Sequence, residues 1–188
     1  MLLFIDACVR KESRTRRLAE ALIAQLGEEA ATLRLADCKF PVIDEAFLTK
    51  RDEMKAEDHF EDPMFSLGRQ FAEADTIVIA APYWDLSFPT LLKQYFEMIN
   101  VRGVTFRYTP EGALQGLCKA KKLYYVMTAG GTFAPMEYGF GYVKALAENF
   151  YGIHDVKLIQ AVGLDLDGAD PEQILEEAIK NIKKPGSL

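Results

Sequence analysis

The stretch Asp75-Thr76-Ile77-Val78-Ile79-Ala80-Ala81-Pro82-Tyr83-Trp84-Asp85-Leu86-Ser87-Phe88-Pro89 decides the fold. Residues 76–81 are β-branched or small and apolar on both faces, the pattern of a central parallel strand covered on two sides. The strand then runs into two aromatics, an acid and two prolines. In open α/β sheets ligands bind beyond the carboxyl ends of the strands. A rigid aromatic shelf at that place suits a flat, stackable ligand, although capping of an apolar core accounts for Tyr83 and Trp84 equally well.

The same alternation continues in both directions. Residues 2–5 predict a short buried strand. A polar loop follows, and then a helix from Arg14 with Leu18, Ala19, Leu22, Ile23 and Leu26 on one face, stopped by Gly27. Residues 32–35 read as an edge strand and 65–74 as a helix. Pro89 opens another helix through Leu91, Leu92, Tyr95, Phe96 and Ile99. Residues 103–112 read as a small strand and turn, 122–128 as the fourth main strand, 142–150 as a helix, 156–163 as the fifth strand and 171–182 as the last helix. Residues 37–62 form a charged, weakly periodic connection with no assigned role. Five strand–helix repeats without a composition break predict one α/β domain over residues 1–188. Its expected architecture is a flavodoxin-like, doubly wound, five-stranded parallel sheet of order 2-1-3-4-5.

Composition narrows the function. The chain has 188 residues, 49% of them apolar, and a net charge of −6. That balance argues against a nucleic-acid binder and against attraction to an anionic membrane surface. No apolar run approaches membrane-spanning length. Cys8, Cys38 and Cys118 are odd in number and widely spaced, which suits reduced thiols in a cytoplasm rather than a disulfide frame or a zinc site.

In the expected strand order, the loops after strands 1, 3 and 4 lie side by side. The first, Cys8-Val9-Arg10-Lys11-Glu12-Ser13-Arg14-Thr15, enters a helix amino end, where free amides and the helix dipole favour an anion. Ser13 and Thr15 add hydroxyls, and Arg10 and Arg14 add charge. An ordinary N-cap with a solvated basic face also fits this loop. The second loop is the aromatic shelf. In the third, Thr128-Ala129-Gly130-Gly131-Thr132-Phe133, paired glycines allow close backbone approach, as would a plain turn. Neither GxGxxG nor GxxxxGK[ST] occurs. A phosphate cradle, a stacking shelf and an amide edge at neighbouring strand ends together describe a site for a phosphorylated planar heterocycle.

These residues carry a resemblance. Ser13-Arg14-Thr15-Arg16-Arg17-Leu18-Ala19, Pro82-Tyr83-Trp84-Asp85, the helix from Pro89 to Phe96, Gly103-Val104-Thr105-Phe106-Arg107-Tyr108-Thr109 and Thr128-Ala129-Gly130-Gly131 follow one another in matching order. The chain resembles the flavodoxin-like NAD(P)H-dependent FMN oxidoreductases, the azoreductases and quinone reductases. The resemblance implies that Arg10, Ser13, Arg14 and Thr15 hold the FMN phosphate. It implies that Pro82, Tyr83, Trp84, Asp85 and Leu86 line the flavin ring, while Thr128, Ala129, Gly130 and Gly131 meet its pyrimidine edge. Tyr108 and Phe133 are candidates for a substrate wall, and no catalytic side chain is assigned. Cys8 stands where azoreductases often have serine, and Asp85 where they often have asparagine. The implied reaction is a ping-pong hydride transfer from NADH or NADPH, through FMN, to a quinone, azo compound or other small electron acceptor. A homodimer is also implied.

Two rival classes share the scaffold: a flavodoxin-type electron carrier, and a flavin-free binding or signalling domain. A carrier would show a Thr-rich, glycine-containing phosphate loop, where this chain has basic residues. His154 reads as a turn residue, and His59 has no triad partners. Asp165, Asp167 and Asp170 lack the remaining ligands of a calcium loop and read as a solvated turn.

Overall fold

The computed structural model describes residues 1–182. Five parallel strands form the central sheet: β1 (Leu2–Asp6), β2 (Ala30–Arg34), β3 (Thr76–Ala80), β6 (Lys122–Thr128) and β7 (Asp155–Ala161), while the intervening β4 (Phe106–Tyr108) and β5 (Leu114–Gly116) pair as an antiparallel hairpin. The sheet order is β2-β1-β3-β6-β7. Counted without the hairpin this is 2-1-3-4-5, so β1 lies between β2 and β3 and the switch point falls beside β3, as expected.

Alternation explains the unbroken apolar strands. Leu2, Phe4, Val78, Ala80, Tyr124 and Val126 face one core, shared with Leu18, Ala19 and Leu22 of α1 (Arg14–Leu26) and Leu175 of α6 (Pro171–Asn181). Leu3, Ile5, Ile77, Ile79, Leu123, Tyr125 and Met127 face the other. That second core takes Phe71 from α3 (Ser66–Glu73), Leu92, Tyr95, Phe96 and Ile99 from α4 (Thr90–Ile99), and Val143 and Leu146 from α5 (Phe140–Leu146). With a period of two and helices on both sides, the middle positions of β1, β3 and β6 need apolar side chains, while the edge strands β2 and β7 carry polar ones.

Three expectations change. The connection at 37–62 contains a helix, α2 (Glu45–Ala56), capped by Asp44, whose side chain accepts from the Phe47 amide at 2.9 Å. It buries none of its residues, so it lacks the apolar stripe that would announce it in sequence. The helix expected at 142–150 begins earlier, at Phe140, and ends in one π-helical turn, Ala147–Tyr151, closed by Gly152 at φ 74°. The strand expected at 103–112 is the β4–β5 hairpin. Thr105 anchors it: its buried hydroxyl donates to the Ile99 carbonyl at 2.7 Å at the end of α4. The Gly-Val-Thr-Phe string therefore has a packing role here. Gly103, at φ 98°, lies under the Phe60 ring, where a Cβ would collide.

Candidate functional site

One cleft of about 150 Å³ opens at the carboxyl ends of β1, β3 and β6. It is lined by Arg10, Ser13, Arg14 and Thr15 from the first loop, Pro82, Tyr83 and Trp84 from the second, and Thr128, Ala129 and Gly130 from the third. The three separated stretches of sequence thus meet at one rim. Positions 14, 84 and 130 share a single cleft.

The first loop supplies donors. Ser13 is the N-cap of α1, its Oγ accepting the Arg16 amide at 3.3 Å. The amides of Arg14 and Thr15 have no intrahelical acceptor, because the first turn of a helix never provides one. The Ser13 hydroxyl keeps its own proton, which it can turn to the Cys8 sulfur or to an anion. Thr15 is buried, and its hydroxyl lies 2.6 Å from that of Thr128. Whichever of the two accepts retains a proton for a third partner, and the pair pins the helix start to the end of β6.

Arg14 is less available than its charge suggests. Its guanidinium donates to the Asp165 carboxylate at 2.9 Å and to the Leu164 carbonyl at 3.2 Å. Two cations, Arg10 and Arg14, face two carboxylates, Glu12 and Asp165, so the side chains lining the cleft sum to zero. The expected excess of positive charge is absent. Attraction for an anion comes instead from the helix end and the hydroxyls.

The second loop is a tight hairpin turn. Trp84 and Ser87 exchange both backbone hydrogen bonds, at 3.1 and 2.8 Å, which leaves Asp85 and Leu86 as the two central residues. Both are left-handed, at φ 50° and 65°. Such turns usually carry Asn-Gly, and two side chains here store strain on the rim. Asp85 and Leu86 lie beyond the cleft wall, and Trp84 is 40% exposed. Tyr83 is fixed by its hydroxyl, which donates to Pro135 at 3.1 Å. Burial, with Glu137 nearby, pushes its pKa above the ordinary tyrosine value.

The third loop presents amides. The carbonyls of Ala129, Gly130 and Gly131 accept from Leu164, Asp165 and Gly163, at 3.3, 2.9 and 3.1 Å. Among the described residues the Gly130 and Gly131 amides have no acceptor. Gly130 is needed for space, since a Cβ there would strike the Asp165 carboxylate. Gly131 stands just outside the cleft wall.

Two expected wall residues are not in the cleft. Phe133 projects from the third loop, 80% exposed. Tyr108 is on the hairpin, in a different cleft with Lys55, Asp58, Phe60, Arg102 and Arg107 that shares no residue with the first. A strand end in the main sheet positions a loop at the rim, whereas the hairpin belongs to another sheet. Conversely, Val9, Glu12, Leu164 and Asp165 line the cleft, and the sequence assigned none of them to it. The loop after β7 reaches the site because β7 flanks β6, so Asp165, in an exposed turn as expected, is also the ion-pair partner of Arg14. Asp170 is the N-cap of α6, accepting from the Glu172 and Gln173 amides.

Cys8 lies outside the cleft lining, buried in the α1 core. Burial, helped by Asp6, pushes its thiol up to about 12, and burial alone does the same for Cys118. Neither is a thiolate nucleophile near neutral pH.

The donor set fits a phosphate monoester: first-turn amides, hydroxyl protons and one guanidinium, with no carbonyl of the 129–131 loop left unengaged. The cleft is smaller than the roughly 300 Å³ that a drug-sized ligand fills. It suits the tail of FMN, with the aromatic turn and the glycine amides left for the ring outside it.

Comparison with known proteins agrees. A model of the family described as having the flavodoxin-like fold matches residues 1–185. The chain is 38% identical to an FMN-dependent NADH:quinone oxidoreductase of Clostridium beijerinckii, covering 97% of this chain and 96% of the relative. It is 35% identical to a protein of the same name from Coprothermobacter proteolyticus, over 93% and 90% of the two chains. Among solved structures, an FMN-dependent NADH-azoreductase of Bacillus anthracis in complex with FMN superimposes with a TM-score of 0.78 at 26% identity, covering 96% of this chain and 94% of the other.

Proposed function

The chain belongs to the flavodoxin-like fold family, and from that premise we propose an FMN-dependent oxidoreductase that takes two electrons from NADH or NADPH and passes them to a quinone, azo compound or similar electrophilic acceptor. The observation that carries this reading is the meeting of the α1 amino end, the Tyr83–Trp84 turn and the Gly130 edge in one cleft. FMN, when bound, supplies a ring that accepts a hydride and gives the electron pair back. Ser13, the Arg14 and Thr15 amides and the Arg14 guanidinium hold the phosphate. Tyr83, Trp84 and the Asp85–Leu86 turn flank the ring. The Gly130 and Gly131 amides meet its polar edge and stabilise negative charge that gathers there during turnover. The nicotinamide and then the acceptor take the outer side of the ring in turn, in ping-pong order.

The loops around the cleft expose Val9, Trp84, Leu86, Phe133, Tyr138 and Leu166. Cover from a second copy in a homodimer accounts for so much apolar surface at one rim. No helix among the described residues is long and apolar enough to cross a membrane. The three free cysteines suit a cytoplasmic setting.

The test is absorbance of the purified protein near ~450 nm, the usual flavin band, followed by anaerobic mixing with NADH or NADPH and then with a quinone or azo dye. Bleaching and recovery of colour are expected. Colourless protein that takes up no FMN refutes the flavin, and coloured protein that does not bleach refutes the enzyme and leaves an electron carrier.

A further inference from the structure

Arg16 does not face the cleft, yet the shape of the cleft's first loop depends on it. Its guanidinium donates through Nε to Asp6 at 2.6 Å, through Nη1 to the carbonyls of Arg10 and Lys11 at 3.1 and 2.6 Å, and through Nη2 to the carbonyl of Cys8 at 3.0 Å. The second Asp6 oxygen accepts the Cys8 amide at 2.9 Å. Four hydrogen bonds from one ion pair therefore determine the path of residues 8–11, which belong to neither strand nor helix.

The anchor is rigid. Asp6 is the last residue of β1, 1% exposed, paired in register with Arg34 on one side and Ala80 on the other. Arg34 approaches the same carboxylate at 3.6 Å. Because Asp6 matches its charge, Arg16 is not a free cation waiting for an anion. Arg16 lines the neighbouring cleft with Phe4, Ile23, Thr32 and Arg34, and it draws three loop carbonyls to that side. A carbonyl oxygen turned the other way would face, and repel, a phosphate. Buried ion pairs contribute little net stability against an apolar replacement, so stability alone is a poor account of this one.

We infer that Arg16, anchored by Asp6, is a positioning residue for the phosphate end of the cofactor, holding residues 8–13 in the form that binds FMN. The inference rests on the FMN reading above. It is tested by titrating the full-length chain with FMN and with riboflavin, which has the same ring and no phosphate, and following flavin fluorescence. Arg16→Lys keeps the charge but loses the planar fork. It should weaken FMN by about tenfold or more, the loss of at least one charge-assisted hydrogen bond, and leave riboflavin within about twofold. Asp6→Asn should act in the same direction, and serves if Arg16→Lys does not fold.

Equal weakening of FMN and riboflavin would overturn the inference. So would unchanged FMN affinity with only a lower melting temperature, which would make the pair purely structural. Wild-type protein that binds neither flavin would refute the FMN reading itself. Wild-type protein that binds both equally would refute the phosphate loop.

Discussion

Replacing Gly130 by alanine places a methyl group against the Asp165 side chain, about 3.0 Å from its Cγ, 3.2 Å from its Cβ and nearer still to a carboxylate oxygen. The Gly130 backbone is not left-handed, so the cost is collision rather than strain. Asp165 is held on two sides, by the Arg14 ion pair at 2.9 Å and by its own amide on the Gly130 carbonyl. Overpacking of this kind costs about 1–3 kcal/mol. The Asp165 side chain is 65% exposed and can swing outward, at the expense of an ion pair worth about 1 kcal/mol or less. The expected loss for Gly130→Ala is therefore about 1–2 kcal/mol, a fall of roughly 3–6 °C in melting temperature for a chain of this size. With Asp165→Ala already in place, the same change should cost about 1 kcal/mol less, because the carboxyl group is gone and only the 3.2 Å contact with the Cβ remains. Urea unfolding of the four proteins in the cycle measures the coupling. Additive costs would refute the steric account of Gly130.

Asp165→Asn removes one of two carboxylates facing the cleft and should tighten FMN binding about two- to tenfold, an effect that added salt diminishes; weaker binding in a fluorescence titration would contradict the charge count. Thr105→Val removes one of the two hydrogen bonds on the Ile99 carbonyl, which keeps the Val101 amide at 2.8 Å, and should cost about 0.5–1.5 kcal/mol in urea unfolding, whereas no measurable loss would remove the hairpin anchor. At Leu86, glycine should change stability by less than ~0.5 kcal/mol, while valine, β-branched at positive φ, should lose about 1–2 kcal/mol; equal effects would argue against the left-handed turn. Native protein at pH 8 should alkylate faster at Cys38 than at Cys8 or Cys118, as mass spectrometry of the modified peptides would show. The raised thiols also have a thermodynamic sign. Above pH 9 the unfolded chain sheds thiol protons that the folded chain keeps until about 12, so stability falls as pH rises through that window. A flat alkaline profile would refute the burial argument.

Residues with strong local reasons were legible in the sequence. Residues 77–80 and 123–127 form unbroken buried runs because both faces of the sheet are covered, and Gly27 ends a helix where the sequence places its stop. Helix α2 was not legible, since a helix that buries no side chain needs no period. Tyr108 looked like part of the site because its string is distinctive, but the string's specificity belongs to Thr105 and Gly103, which hold the hairpin.

The order of apolar strands and helices in the chain, with the loops at their ends, was enough to bring Ser13, Trp84 and Gly130 to one rim, because a parallel sheet aligns its carboxyl ends whatever the side-chain details. The pairing of Arg14 with Asp165 and the bracing of the first loop by Asp6 and Arg16 depended on tertiary structure alone. Asp165 is 151 positions from Arg14, and Asp6 faces Arg16 only once strand and helix have packed. Such contacts leave no period or spacing in the chain: they follow from where folded elements happen to put two charges.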